Sequence, residues 1–135
     1  MPGPLQLPVS FGEAADKISI LEIKSERIAD KDQRANIQTE LNLVLSSFPQ
    51  GTRTNSEFLS FFAKLKAINE KLWDIENAIR ACEHRGDFGP DFIRLARSVY
   101  LTNDERSAIK RQIEILFDSP IREEKSYAMS GPDEK

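Results

Sequence analysis

The sequence predicts an all-α fold: an antiparallel helical bundle of about five helices, with one long central helix and no sheet. Three observations predict it. Apolar residues recur at three- and four-residue spacing through most of the chain and never settle into a period of two. Polar capping residues stand where these runs begin, and Gly or Pro stands where they end. No Asn-Gly hairpin turn and no internal repeat interrupts the pattern. The chain has 135 residues, enough for one domain that buries about two-thirds of its unfolded surface. Such a core needs neither metal nor disulfide.

Residues 1–9 hold three prolines and a glycine and read as an extended arm. Ser10-Phe11-Gly12-Glu13 has the pattern of a capping box, with Glu13 three residues after Ser10. The helix it opens runs to about Ala29. Phe11, Ala14, Ile18, Leu21, Ser25 and Ile28 form one stripe on it, and Ile20 and Ile23 fall outside that stripe. A helix apolar on two sides is covered on two sides, so this one is placed centrally. Asp30-Lys31-Asp32 reads as a polar turn. A second helix from Gln33 to Ser47 carries Ile37, Leu41, Val44, Leu45 and Phe48, and stops at Pro49-Gln50-Gly51. The short loop after it predicts that helices 2 and 3 are antiparallel neighbours.

The third helix is the clearest. Phe58, Phe61, Phe62, Leu65, Ile68, Leu72, Ile75, Ile79 and Cys82 mark its apolar stripe, and Gly86 ends it. Pro90 suits the first position of a fourth helix running to about Tyr100. Thr102-Asn103-Asp104-Glu105 has the lettering of another capping box and predicts a fifth helix to about Phe117, broken at Ser119-Pro120. Residues 10–128 form the single domain in this reading. The segment ending in Tyr127 folds back so that the ring packs on the bundle, and residues 129–135 form a flexible tail.

Charge and composition exclude several functions. Nineteen Lys and Arg against 22 Asp and Glu give a net charge of −3, which argues against a nucleic-acid partner. No run approaches the length of about 20 apolar residues that a membrane helix needs, so no membrane partner is expected. A lone Cys82 and a lone His84 supply neither a thiolate cluster nor a histidine metal site. Cys82 reads as a core residue, and His84 as a charge at a helix C-terminus. No cofactor and no metal are expected. The N-terminus lacks the basic and apolar regions of a signal peptide, so a cytoplasmic location is the default. Asp87-Phe88-Gly89 matches a kinase magnesium motif in letters only. The Gly-rich loop, strand lysine and catalytic loop are missing, so these residues form a turn.

Four polar features remain. Glu22 and Glu26 are one helical turn apart, where two carboxylates repel unless a cation lies between them. The choice there is a magnesium site or a solvated face. Asn69, Trp73, Glu76, Arg80 and Glu83 form a stripe beside the apolar stripe of helix 3, the place where a bundle builds a pocket or keeps boundary ion pairs. Arg94, Arg97, Arg106, Lys110 and Arg111 make the C-terminal half locally basic. The helix start expected at Asn103 adds backbone donors for an anion. Glu123-Glu124-Lys125-Ser126-Tyr127 is polar but closes on an aromatic ring.

Several of these stretches resemble a family of small bacterial proteins of unknown function. They are Asp16-Lys17-Ile18-Ser19-Ile20-Leu21-Glu22-Ile23-Lys24, Asn69 with Leu72-Trp73 and Glu76, Phe92-Ile93 with Ala96-Arg97 and Tyr100, Asn103-Asp104 with Arg106, and Glu124-Lys125-Ser126-Tyr127. The resemblance implies a single all-helical domain and supplies no reaction. Two functions follow as expectations. The first is a non-catalytic module that binds a protein partner or a second copy of itself, using the stripe of helix 3 and the two-sided helix 1. The second is a small-molecule protein or enzyme with a polar pocket between helices 1, 3 and 4 for an anionic ligand. Its candidate residues are Glu22, Lys24, Asn69, Glu76, Arg80, Arg97, Asn103, Lys110 and Lys125. Catalytic residues are not identifiable.

Overall fold

The computed structural model describes residues 3–121 and 124–126. It contains four helices: α1 Phe11–Arg27, α2 Lys31–Ser46, α3 Ser56–Arg85 and α4 Pro90–Leu116. No strand occurs among the described residues.

The ends of the helices follow their capping chemistry. Ser10 Oγ accepts a hydrogen bond from the Glu13 amide at 3.0 Å. Only that half of the expected capping box forms, because the Glu13 carboxylate turns to Lys110 Nζ at 2.8 Å. Asp30 caps α2 by accepting from the Gln33 amide at 2.9 Å, so α2 begins two residues before the expected Gln33. Asn55 caps α3 in the same way, accepting from the Phe58 amide at 3.0 Å. Gly86 ends α3 with φ 64°, the left-handed conformation that glycine adopts without a Cβ penalty. Asp87 Oδ1 accepts from the Gly89 amide at 3.1 Å, which makes Asp87-Phe88-Gly89 the expected turn. Pro90 then opens α4.

The expected fourth and fifth helices are one. α4 passes without a break through Tyr100, Leu101 and Thr102. Between Pro90 and Phe117 there is neither glycine nor another proline to stop it. Thr102 is buried inside the helix rather than placed at a start, and the Asn103 side chain faces Arg106 Nη1 at 3.4 Å instead of a backbone amide. The helix N-terminus expected at Asn103 therefore does not exist, and neither does its anion-binding dipole end.

α1 is central, in contact with all three other helices, whereas α2 packs on α1 alone. The expected pairing of α2 with α3 is thus replaced. The apolar stripe of α2, with Ile37 and Leu41, is taken up by Ile18 and Leu21 of α1. The opposite side of α1 gives Ala15 to a second cluster with Phe58, Leu65 and Ile113. Phe11 and Phe58 close that cluster against Phe117, with ring centroids 4.8 and 5.7 Å away. The Ala15 side and the Ile18–Leu21 side of α1 are therefore both packed within the chain.

Cross-helix bonds fix the directions. Ser10 meets Glu114, Glu13 meets Lys110 and Asp16 meets Arg106, so α1 runs antiparallel to α4. Asp16 meets Asn69 and Arg27 meets Asp74, so α1 runs parallel to α3. α1 ends at that level, while α3 continues from Ile75 to Arg85 and pairs with the first half of α4. The step where α1 stops leaves a cavity.

After Pro120 the chain returns along α4. Glu124 stands 3.8 Å from Arg111, and Lys125 shares a cleft with Ser107 and Lys110. Tyr127 and the tail at 129–135 lie outside the described residues. No helix among the described residues is long and apolar enough to cross a membrane.

Candidate functional site

The site is built on a buried carboxylate. Asp16 projects from α1 into the space between α3 and α4, where almost no solvent reaches it. A charge in such a place is tolerated only when paired and fully hydrogen-bonded. Arg106 of α4 supplies both. Its Nε donates to Asp16 Oδ1 at 2.8 Å and its Nη2 donates to Oδ2, a bidentate grip. Asn69 of α3 adds a third donor, with Nδ2 2.9 Å from Asp16 Oδ1. The other Nδ2 hydrogen goes to Ser19 Oγ at 2.7 Å, and Ser19 donates in turn to the Asp16 carbonyl at 2.7 Å.

This network fixes the orientation of the Asn69 amide. A carboxylate only accepts, so Nδ2 must face Asp16, and Oδ1 must face away. That oxygen accepts none of the hydrogen bonds of this network and reaches solvent, since no buried side-chain polar atom among the described residues lacks a partner. Asn69 lines the cavity at the end of α1, a space of about 280 Å³. Ile20, Ile23, Leu72 and Val99 form the apolar part of its wall; Trp73, Glu76, Asn103 and Arg106 complete it. Trp73 is held by Arg27, whose guanidinium lies 5.8 Å from the ring centroid and also binds Asp74 at 2.7 Å.

Asn103 and Arg106 also line a second cleft, of about 200 Å³. Its other walls are Glu13, Ser107, Lys110 and Lys125. Lys110 is buried and paired with Glu13. The two spaces thus share one wall, apolar and aromatic on one side, cationic on the other. Beneath the second cleft, Ser10 Oγ donates to the buried Glu114 Oε1 at 2.7 Å. Gly12 brings α1 close to α4 here. A Cβ at this residue would lie 2.5 Å from the Lys110 carbonyl oxygen.

Of the candidates named from sequence, Asn69, Glu76 and Asn103 line the first space, and Asn103, Lys110 and Lys125 line the second. Arg80 lies on the surface with Nε 2.9 Å from Glu76 Oε1. Arg97 is exposed, near the Tyr100 hydroxyl at 3.4 Å. Lys24 lines neither space. Glu22 belongs to a separate cluster. Lys66 Nζ from α3 lies 3.1 Å from Glu22 and 2.7 Å from Glu26. The cation between these carboxylates is an ammonium of the chain itself. The hydrogen bond to Glu26 raises Lys66 above the ordinary lysine range against the opposing effect of burial, and Glu22 adds to the rise.

Asp16, Ser19 and Arg106 were missing from the sequence-based set, yet they organise the site. Asp16, Ser19 and Ile23 share one face of α1 by their spacing. Polar residues in register with a core isoleucine were the available signal. Arg106 gave none beyond its place in a basic stretch, because its partner is 90 positions away.

Fold and site define an all-α protein with a solvent-open cavity floored by a buried ion-pair network. The chain belongs to a family described as a family of unknown function, DUF6165, whose model matches residues 5–133. No curated protein matches the chain, and no solved structure does.

Proposed function

We propose that the protein binds a small anionic molecule in the cavity between α1, α3 and α4. The observation that carries this reading is Asn69. Its amide is locked by Asp16 and Ser19, and the side chain lines an open space beside Trp73. With Nδ2 committed to Asp16 and Ser19, Oδ1 is a fixed acceptor open to solvent, and a ligand donor can meet it there. Concave, mainly apolar spaces with a few fixed polar groups are where small molecules bind. The cations suited to an anion are Arg106, Lys110 and Lys125 on the shared wall and in the second cleft. The reading places the protein in the cytoplasm, where a lone thiol such as Cys82 stays reduced.

Trp73 is the sole tryptophan, so tryptophan emission, excited selectively over tyrosine, reports on this cavity. A panel of metabolite-sized anions and neutral parents is titrated while Trp73 emission and melting temperature are followed. Binding moves both for at least one member; Asn69→Ala removes both responses, and Trp73→Phe removes the shift in melting temperature. A panel without any response in a folded protein overturns the reading.

A second reading, a protein-binding module, is favoured by a separate observation. Ile93, Tyr100 and Leu101 on α4 and Phe88 before it are 55%, 50%, 41% and 54% exposed. Exposed apolar side chains in one region suit a partner, here a second copy of the chain. Sedimentation then gives twice the 15.3 kDa of one chain, and Ile93→Glu returns the single-chain mass. A single-chain mass at high concentration excludes the dimer.

A further inference from the structure

We infer that the N-terminal arm of one chain docks in an apolar groove of a second copy, which returns its own arm in exchange. The groove lies where the start of α1 meets the end of α2. The inference stands apart from the small-molecule reading. It also differs from the contact through Ile93, which lies toward the other end of the bundle.

The arm presents apolar side chains that its own chain leaves in water. Leu5 and Leu7 are 94% and 77% exposed, more than any other large apolar side chain among the described residues. Residues 1–9 carry no charge in a chain that is 30% charged, a composition that suits a covered segment better than a solvated one. Pro4 and Pro8 restrict the backbone, and Leu7, ahead of Pro8, is held extended. Residues 3–10 run without a turn. A stiff arm of this kind loses little entropy on docking.

The groove matches the arm. It measures about 180 Å³, and Val9, Phe11, Ala14, Phe48 and Pro49 form its apolar wall. The Phe11 and Phe48 rings stand edge to face with centroids 6.0 Å apart. Its two hydroxyls are already committed, Ser10 donating to Glu114 at 2.7 Å and Ser47 to the Leu43 carbonyl at 3.1 Å. No charged side chain lines it. Hydrocarbon is therefore what it offers, and aromatic-lined grooves are where proline-braced segments dock.

Two features make the occupant a second copy. Val9 belongs to the wall of the groove, and the chain leaves it extended, at about 3.3 Å per residue. Leu7 and Leu5 are thereby carried away from their own groove rather than folded into it. A single arm in so small a groove is also a weak contact beside stable interfaces. A two-fold arrangement makes the same contact twice, with identical surfaces on both chains.

The test is sedimentation of the full chain at high concentration, which is expected to give twice the 15.3 kDa of one chain. Leu5→Gln/Leu7→Gln weakens the association more than about ten-fold, the effect of leaving two leucine side chains in water. Both side chains are exposed in the single chain, so this variant stays folded. Ser47→Arg, at an exposed position on the groove, acts in the same direction. Oxidising an equal mixture of Gln6→Cys and Ser47→Cys chains joins unlike chains in preference to like ones, and Cys82 is buried and does not compete. A single-chain mass at high concentration overturns the inference. So does a Gln6→Cys/Ser47→Cys chain that closes its disulfide within itself, which puts the arm in its own groove. A dimer that Ile93→Glu dissociates and Leu5→Gln/Leu7→Gln leaves intact overturns the arm exchange and keeps the contact through Ile93.

Discussion

Arg106 grips Asp16 through two parallel hydrogen bonds, one of them 2.8 Å long, across 90 positions of sequence. The pair joins the start of the chain to its last helix in an environment where neither charge would stand alone. Removing one member leaves the other unpaired. Arg106→Met therefore destabilises the fold by about 3–5 kcal/mol, measured by urea denaturation. Asp16→Leu/Arg106→Met removes both charges and is less destabilised than Arg106→Met. A double variant as unstable as the sum of the singles would show that the charges are not what makes the single loss large.

Gly12 is the contact point of α1 with α4. Alanine normally improves a helix by about 1 kcal/mol over glycine. Here its Cβ would meet the Lys110 carbonyl oxygen at 2.5 Å, and backbone cannot swing aside as a side chain can. Overpacking wins, so Gly12→Ala lowers stability by about 1–3 kcal/mol and lowers the melting temperature. A stabilised Gly12→Ala would mean that the two helices are farther apart.

Lys66 gives the pH dependence a sign. Its pKa is raised in the folded chain by Glu26, with Glu22 adding to it. The stabilisation is fully present below the unfolded lysine value of about 10.4 and is lost as pH rises through the folded value. Wild type therefore loses stability in the alkaline range by an amount that Lys66→Met does not lose there. Near neutral pH Lys66→Met costs about 1 kcal/mol or less, since Glu22 and Glu26 then face each other unshielded. Millimolar magnesium leaves the wild-type melting temperature unchanged, because the ammonium already holds both carboxylates. Urea melts from pH 7 to 11 compare the two proteins. Parallel curves would count against the bridge.

How far the fold could be read depended on whether a signal was local. The all-α class and the caps at Ser10 and Gly86 are properties of neighbouring residues, and they appear where the letters place them. The choice of α1 as partner for α2 is not local. It depends on which apolar stripe finds a match, and Ile37 and Leu41 fit Ile18 and Leu21. The site divides in the same way. Asn69 and Glu76 stood out as polar residues beside an apolar stripe, Asn103 and Lys110 as a helix start and part of a basic half, and Lys125 in the closing polar segment, and each lines one of the two spaces. Asp16 was hidden because a buried acid has the same letter as a solvated one. Only the arrival of Arg106 and Asn69 explains why it can be inside.

Asn103 decides between a helix start and a helix interior. Capping letters at Thr102-Asn103-Asp104-Glu105 compete with continuation, and α4 continues because nothing in the stretch disrupts its backbone hydrogen bonds. The two arrangements rank substitutions differently. Within a helix, alanine is better than glycine by about 1 kcal/mol. At a capping position glycine is tolerated about as well as the polar residues, and alanine is the worse choice. Asn103→Ala is therefore expected to change stability little, since the bond it removes is the long one from Arg106 at 3.4 Å. Asn103→Gly is expected to fall below it by about 1 kcal/mol. The reverse order in thermal melts would restore two separate helices. It would also break the wall that the two spaces share, because Asn103 and Arg106 hold their places only while α4 is one rod.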